Sequence, residues 1–272
     1  MCIVCMSLPL WTGTIESLSQ EGLGVGSILL EEDGKRVRRP IFIPFTAPGD
    51  SVRATITEQK RKYSFAKLEQ VLVSSPYRQT PSCPHFGICG GCNLQHVKYE
   101  EQLRQKAQQI SFLLKRKGME LPEPITVMPA VQRSNYRRRA KIAIEFTGSN
   151  VIAGFRKFHA HDIVGVKACF IVSKEIVDLL LILNKLSTTI GATRFVQEII
   201  VVVGDNKKLG VLVPLDHTPE NERKAVRQFF ETLYGQNRKL VGNLFFEENR
   251  MTKTSGQVQE HITYTNSGLL MA

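Results

Sequence analysis

A chain of 272 residues, 42% of them hydrophobic, carries enough apolar material for two buried cores and reads as a folded soluble protein. No window approaches the roughly 18 uninterrupted apolar residues of a membrane span, and the opening MCIVCMSLPLW lacks the basic flank of a secretion signal; a cytoplasmic protein without a membrane partner is expected. The 36 Lys and Arg residues outnumber 25 Asp and Glu, and the net charge of +11 suits a polyanionic partner such as nucleic acid.

From Trp11 to about Val73, the segments TGTIESL, GVGSILLEE, PIFIPF, DSVRATITE and FAKLEQVLV alternate and are punctuated by turns. They are predicted as five strands of a small closed barrel of the oligonucleotide-binding type. Gly22, Gly24 and Gly26 are followed by a strand and not a helix, so they read as turn and barrel-corner glycines and not as a dinucleotide fingerprint. Pro76, Pro81 and Pro84 then deliver the chain to a cysteine-rich loop. Over residues 99 to 117 a helix is predicted, with Leu103, Ala107, Ile110 and Leu114 as a stripe that packs on a barrel or on the next domain, and Gly118 as its stop.

After the Pro122–Pro124 linker, RRRAKIAIEF alternates, placing Arg137, Arg139 and Lys141 on one face and Ala140, Ile142, Ile144 and Phe146 on the other. IAGFRKF, HDIVGV, EIIVVVGD, KLGVLVP and KLVGNLFF continue as strands. Two helices interrupt them, one over about 173–189 and one capped by Thr218 with Pro219 in its first position. The short turns favour an antiparallel α+β sheet. The expected organisation is α+β throughout: a barrel over 7–74, a cysteine loop and linking helix over 75–118, and an α+β domain over 119–272.

The positive charge is clustered. Lys60, Arg61 and Lys62 stand beside Tyr63 and Phe65, Lys115, Arg116 and Lys117 form a second group, and Arg137, Arg138, Arg139 and Lys141 stand beside Tyr136. Lysines and arginines of this kind contact phosphates, and Tyr63, Phe65, Tyr136 and Phe155 are candidates to stack on exposed bases, although solvated basic faces and core aromatics explain the same pattern. His159 and His161 would share a strand face, as surface imidazoles.

Six cysteines are present, at 2, 5, 83, 89, 92 and 169. Cys2 and Cys5 have CxxC spacing without a strand–helix context. Cys83, Cys89 and Cys92 form one C-x5-C-x2-C triplet, and Gly90 and Gly91 remove side chains that would obstruct a bound metal or cluster. Structural zinc more commonly uses two short-spaced pairs, whereas a triplet closed by one remote thiolate is a usual way to hold an iron–sulfur cluster. Outside the leader, Cys169 is the one remote cysteine, and His85 and His96 are alternative fourth ligands suited to zinc. Cluster, zinc and unmetallated thiols all remain compatible with this spacing.

Five ordered elements resemble the TRAM-domain, iron–sulfur RNA uracil-5-methyltransferases of bacteria: PGDSV at 48–52, CPHFGICGGCNLQH at 83–96, NYRRRAK at 135–141, GFRK at 154–157 and DIVGVKAC at 162–169. The resemblance implies that Cys83, Cys89, Cys92 and Cys169 are the ligands of a [4Fe–4S] cluster. It also implies that the barrel is a TRAM RNA-binding domain and that the region from about 120 helps to hold a folded RNA, expected to be ribosomal. On this reading the basic groups at Lys60, Arg61, Lys62 with Tyr63, at Arg137, Arg138, Arg139 and Lys141, and at Arg156 and Lys157 are expected to contact RNA, an expectation that rests on composition and not on the resemblance. One departure is Phe170, where the family usually has proline after the last ligand.

The resemblance also implies S-adenosylmethionine as methyl donor and a cysteine nucleophile that adds to C6 of uracil. No Phe-x-Gln-x-Asn stretch, glycine-rich cofactor turn or Ser-Cys-Asn-Pro nucleophile is legible, and the tail SGQVQEHITYTNSGLLMA resembles the segment just upstream of them. The expectation is therefore a monomeric RNA-binding and cluster portion of such a methyltransferase, with no catalytic residue of its own and no catalytic domain in these residues. The competing expectation is a repurposed, non-catalytic RNA-binding iron–sulfur protein.

Overall fold

The computed structural model describes residues 9–32, 34–147, 150–186, 196–216, 218–254 and 257–266. Cys2 and Cys5, the end of the predicted helix over 173–189, the side chain of Phe146 and the last residues of the tail lie outside the described residues. The fold is α+β with two sheets and three helices among the described residues. Two compact units divide the chain: residues through Gly87 with Cys92–Ala130, and Ile88–Gly91 with the residues from Val131 onward.

In the first unit, strands β1 (Leu10–Thr14), β2 (Ser17–Leu18), β3 (Gly24–Glu32), β4 (Lys35–Ile43), β5 (Ser51–Gln59) and β6 (Ser64–Val73) form one sheet in the order β1-β5-β6-β4-β3-β2. The predicted first strand is thus two. Ile15 N–H donates to Asp50 O at 2.9 Å on the β5 side, while Glu16 N–H donates to Val25 O at 2.8 Å on the β3 side. One bent segment therefore supplies both edges and closes the sheet on itself, which leaves few exposed edge groups. Alternate residues Val52, Ala54 and Ile56 join Trp11, Ile15, Ile41, Ile43 and Ala66 in the interior.

The glycines of β3 serve packing and not corners. A Cβ on Gly26 would meet the Trp11 ring at 2.7 Å and one on Gly24 would meet Thr46 Oγ1 at 1.9 Å; of the three glycines of this stretch, Gly22 alone, at φ +82°, occupies a turn that needs glycine.

Helix α1 (Tyr99–Arg116) carries Glu100 and Glu101 in its first turn and Lys115 and Arg116 in its last, in accord with its dipole. Gly118, at φ +76°, ends it, with Met119 N–H bonded to Leu114 O. The expected apolar stripe is only partly covered, with Leu103, Ala107 and Leu114 half-buried. Glu101 and Gln105 are buried, whereas Ile110 and its neighbours Phe112 and Leu113 are exposed. The reason lies in β2, a two-residue edge strand whose backbone groups need partners. Gln105 Oε1 accepts from Leu18 N–H at 2.9 Å, and Gln109 Nε2 donates to Leu18 O and Ser19 O at 2.9 Å each.

The second unit is a seven-stranded sheet in the order β13-β12-β11-β10-β7-β8-β9, built from β7 (Arg139–Thr147), β8 (Asn150–Arg156), β9 (Ile163–Gly165), β10 (Glu198–Val203), β11 (Leu209–Pro214), β12 (Val241–Thr254) and β13 (Gln257–Asn266). Helices α2 (Lys174–Leu183) and α3 (Glu220–Gln236) share one core with Ala140, Ile142, Ile199, Val201, Val211 and Phe246 of that sheet. Arg139 and Lys141, paired across the sheet with Val202 and Ile200, lie on the other face.

The sheet is mixed, not wholly antiparallel. β11 and β12 run parallel because α3 intervenes and returns the chain to the same end of the sheet. Two further expectations fail locally. Pro219 itself is the cap residue of α3 and Thr218 makes no capping bond; the β13 strand was not foreseen from the tail.

Candidate metal centre and nucleic-acid interface

The cysteine loop leaves the barrel through a buried ion pair. The Asp50 carboxylate, fully buried, accepts from Ala47 N–H at 2.6 Å, from Ser75 N–H at 2.9 Å and from the Arg78 guanidinium at 2.6–3.1 Å. Arg78 also donates to Phe45 O at 2.8 Å, holding a non-glycine residue at φ +62°. Sequence reading saw Asp50 only as part of PGDSV; alternation alone gives no signal for a buried carboxylate paired 28 residues away.

Beyond it, Phe86 packs edge-to-face against Phe45 and tilted against His96, with centroids 5.4 Å away in each case. His96 is buried, with no hydrogen-bond partner of standard geometry on either ring nitrogen. Burial, with a smaller contribution from the nearby Arg78 charge, lowers its pKa from the usual 6.5, against the opposing pull of Thr46 O and Asp50. The folded state thus keeps the ring neutral, and protonation favours the unfolded chain. Stability of this unit is expected to be full above about pH 6.5 and to fall as pH drops below it. Thermal melting between pH 7.5 and 5 of wild type and His96→Leu checks this: part of the acid slope is lost in the variant, and identical slopes would assign the acid sensitivity elsewhere.

The tip of the loop belongs to the second unit. Gly90 N–H donates to Arg156 O at 2.9 Å, Phe158 N–H donates to Ile88 O at 2.8 Å, and Cys89 pairs with Lys157 across a β-bridge. A Cβ on Gly90 would approach the carbonyls of Arg156 and Lys157 at 3.2 Å, so glycine allows this close approach. GFRK therefore supports the loop through its backbone. The two cations predicted to contact RNA are engaged locally: Arg156 donates to His161 O at 2.5 Å, and Lys157 pairs with Asp162 at 3.0 Å. His159 and His161 lie in the β8–β9 turn, exposed, and not on a strand face.

Cys169 follows β9 and precedes a zipped segment. Asn135 N–H donates to Phe170 O at 2.7 Å, Arg137 N–H to Ile171 O at 2.9 Å, and Ser173 N–H to Arg137 O at 2.9 Å. NYRRRAK and the segment after Cys169 are thus partners in the backbone.

Cys83, Cys89, Cys92 and Cys169 are all half-buried, and none forms a disulfide. Gly91 N–H points at Cys89 Sγ at 3.4 Å. Four such thiols match the soft ligands of an iron–sulfur cluster or zinc in donor chemistry. Among the described residues, however, no three His, Cys, Asp or Glu side chains are gathered as a metal-holding group, and His85 and His96 add no such group.

Of the other cations, Lys60, Arg61 and Lys62 form the β5–β6 turn, closed by Lys60 N–H to Tyr63 O at 2.9 Å. Hydrogen bonds to Glu58 and then Tyr63 raise the pKa of Lys60, which stays cationic. Arg138 is used internally, donating to Val203 O at 2.8 and 3.1 Å and to Asp205 at 2.7 Å, and Lys141 pairs with Glu198 at 3.0 Å. Arg61, Lys62, Arg137 and Arg139 are exposed and make no side-chain ion pair among the described residues. Tyr136 is exposed, whereas Phe155 is half-buried and packs against the core of the second unit.

A closed barrel with a cationic turn is a form common to nucleic-acid-binding modules, and residues 11–77 match the family described as the TRAM domain of tRNA (uracil(54)-C(5))-methyltransferase. Among curated proteins, the chain is 36% identical over 220 residues to the 23S rRNA (uracil(1939)-C(5))-methyltransferase RlmD of Yersinia enterocolitica, covering 80% of this chain and 48% of that protein. The RlmD of Pectobacterium carotovorum is 34% identical over 223 residues, or 81% and 47%. The chain spans about half the length of these relatives. A crystal structure of Pyrococcus abyssi tRNA (uracil-54, C5)-methyltransferase with S-adenosyl-L-homocysteine shares the fold, with TM-score 0.57 at 21% identity, over 93% of this chain and 55% of that one. No described helix is long and apolar enough to cross a membrane.

Proposed function

We propose that these residues serve a cytoplasmic, monomeric RNA uracil-C5-methyltransferase acting on ribosomal RNA, to which they contribute RNA binding and a thiolate ligand set. The observation that carries this reading is the similarity to 23S rRNA uracil-C5-methyltransferases along four-fifths of the chain. Arg61, Lys62, Arg137 and Arg139, exposed and without ion pairs among the described residues, support it as phosphate contacts, since charge and not base identity dominates RNA affinity. The methyl donor on this reading is S-adenosylmethionine; no described residue is assigned to hold it or to attack the base. The spans 7–74, 75–118 and 119–272 are read as the barrel, the loop with its helix, and the RNA-holding domain.

Cys83, Cys89, Cys92 and Cys169 are proposed as the ligands of a [4Fe–4S] cluster, supported by four half-buried thiols outside disulfides and by the N–H donor at Cys89. Such a cluster would supply a structural tie and no step of the reaction. Anaerobically purified protein is expected to contain iron and acid-labile sulfide, and Cys169→Ser to lose both; zinc without sulfide would refute the cluster.

The RNA reading is tested by competition. A 23S rRNA fragment spanning the uridine that the relatives modify is expected to displace a labelled copy of itself, while an equal mass of transfer RNA displaces less. Equal displacement by both would remove the ribosomal assignment.

A further inference from the structure

Resting on the RNA-binding reading above, we propose that the outer wall of the barrel beside the β5–β6 turn is a stacking platform for unpaired bases of single-stranded RNA, built by Phe42, Tyr63 and Phe65. Strand alternation fixes which way these rings point. Phe42 and Phe65 face each other across β4 and β6, while their neighbours Ile41, Ile43, Ser64 and Ala66 are buried in the barrel. The interior is filled without them by Trp11, Ile15, Ile41, Ile43 and Ile56. Three aromatic rings are therefore left half-exposed on one outer patch of a small barrel, which core packing does not require.

The rings brace one another: Phe42–Phe65 at 5.6 Å, Tyr63–Phe65 at 5.5 Å and Phe42–Tyr63 at 6.0 Å between centroids. A braced ring offers a flat surface at little entropic cost when a base arrives. Cations lie at the same edge. Lys60 Nζ is 5.4 Å from the Tyr63 centroid, and Arg61 and Lys62 complete the turn without ion pairs among the described residues. Phosphates flanking a stacked base would meet this turn.

The combination selects a form of RNA. A duplex keeps its bases stacked inside and presents backbone and a shallow groove, whereas a single strand presents free π faces to aromatic side chains. Rings without cations would suit a protein partner equally; here Lys60 is paired with Glu58 at 3.1 Å, but Arg61 and Lys62 of the same turn make no ion pair among the described residues, and rings beside these two charges fit a polyanion with planar groups.

Fluorescence anisotropy of the whole chain with a labelled oligouridylate of about 12 nucleotides, within the site size of such barrels, and with an RNA duplex of equal length tests this. Wild type is expected to prefer the single strand, and Tyr63→Ala and Phe42→Ala each to weaken single-strand binding about fivefold or more with duplex binding unchanged. Arg61→Gln with Lys62→Gln is expected to weaken both forms. Should Phe42→Ala unfold by circular dichroism, Tyr63→Ala, whose ring sits at the turn, decides alone. Equal wild-type affinity for both forms, unaffected by Tyr63→Ala, overturns the platform and leaves the RNA reading standing; absence of binding to either form overturns both.

Discussion

Asp50→Ala is expected to destabilise the first unit by about 3–5 kcal/mol, the loss typical when one partner of a buried ion pair is removed. The carboxylate is fully buried and satisfies two backbone N–H groups and one guanidinium at once. Alanine would leave the Ala47 and Ser75 amides unsatisfied, each a further desolvation cost. It would also release Arg78, which fixes the carbonyl of Phe45 in its left-handed turn and, through it, the ring that packs on Phe86. Chemical denaturation should show a lower midpoint for Asp50→Ala. Combining it with Arg78→Ala should cost much less than the sum of the single changes, because the two side chains act as one unit. Additive losses, or a loss below about 1 kcal/mol, would mean that the pair is an ordinary surface contact.

Gly154→Ala is the second large effect, and it acts in the other unit. A Cβ at this position would lie 1.8 Å from Val164 O and 3.1 Å from Gly165 Cα, both backbone atoms of the paired strand β9. Neither can rotate away, so β9 must separate from β8 or the substitution must strain the sheet. A loss of about 1–3 kcal/mol or more follows from overpacking of this kind. The consequence extends past stability, because β9 leads within four residues to Cys169 and β8 leads directly to the carbonyls that hold Gly90. Hydrogen exchange should show faster exchange at the Gly90 and Phe158 amides in Gly154→Ala than in wild type. Unchanged exchange there would separate the β8–β9 pair from support of the loop.

Much of this was legible from residue order. The alternation of Val52, Ala54 and Ile56 with Arg53, Thr55 and Thr57 gives a half-buried strand directly, and Arg139–Ile142 behaves alike before Ala143 and Ile144 are both buried. Other features depended on contacts that no local pattern encodes. Ile15 and Glu16 divide a strand because one amide serves each neighbouring strand, and α1 turns Gln105 and Gln109 inward because a two-residue edge strand lacks partners. The parallel β11–β12 pair was hidden by the short turns of the earlier strands, although the helix between them requires a crossover.

The candidate site was legible as a set of residue types and less so as an arrangement. Lys60–Tyr63 is one turn, but Phe42, its third ring, comes from another strand and has no charged neighbour in sequence to mark it. For Arg156 and Lys157, charge in a list of residues does not reveal their local partners, His161 O and the Asp162 carboxylate. Cys169 was found as a lone remote thiol; the pairing of the next residues with Asn135 and Arg137 explains why the arginine run and that cysteine occur together.

The central claim is that these residues bind RNA through exposed cations left unpaired by the fold, and the salt dependence of binding tests it most directly. For wild type, log affinity for a 23S rRNA fragment should fall linearly with log salt concentration, with a slope of about −0.7 to −0.9 per phosphate neutralised. Arg137→Ala with Arg139→Ala should make that slope shallower by about 1.4–1.8 while leaving thermal stability unchanged. A salt-independent affinity, or a double variant with the wild-type slope, would contradict the claim.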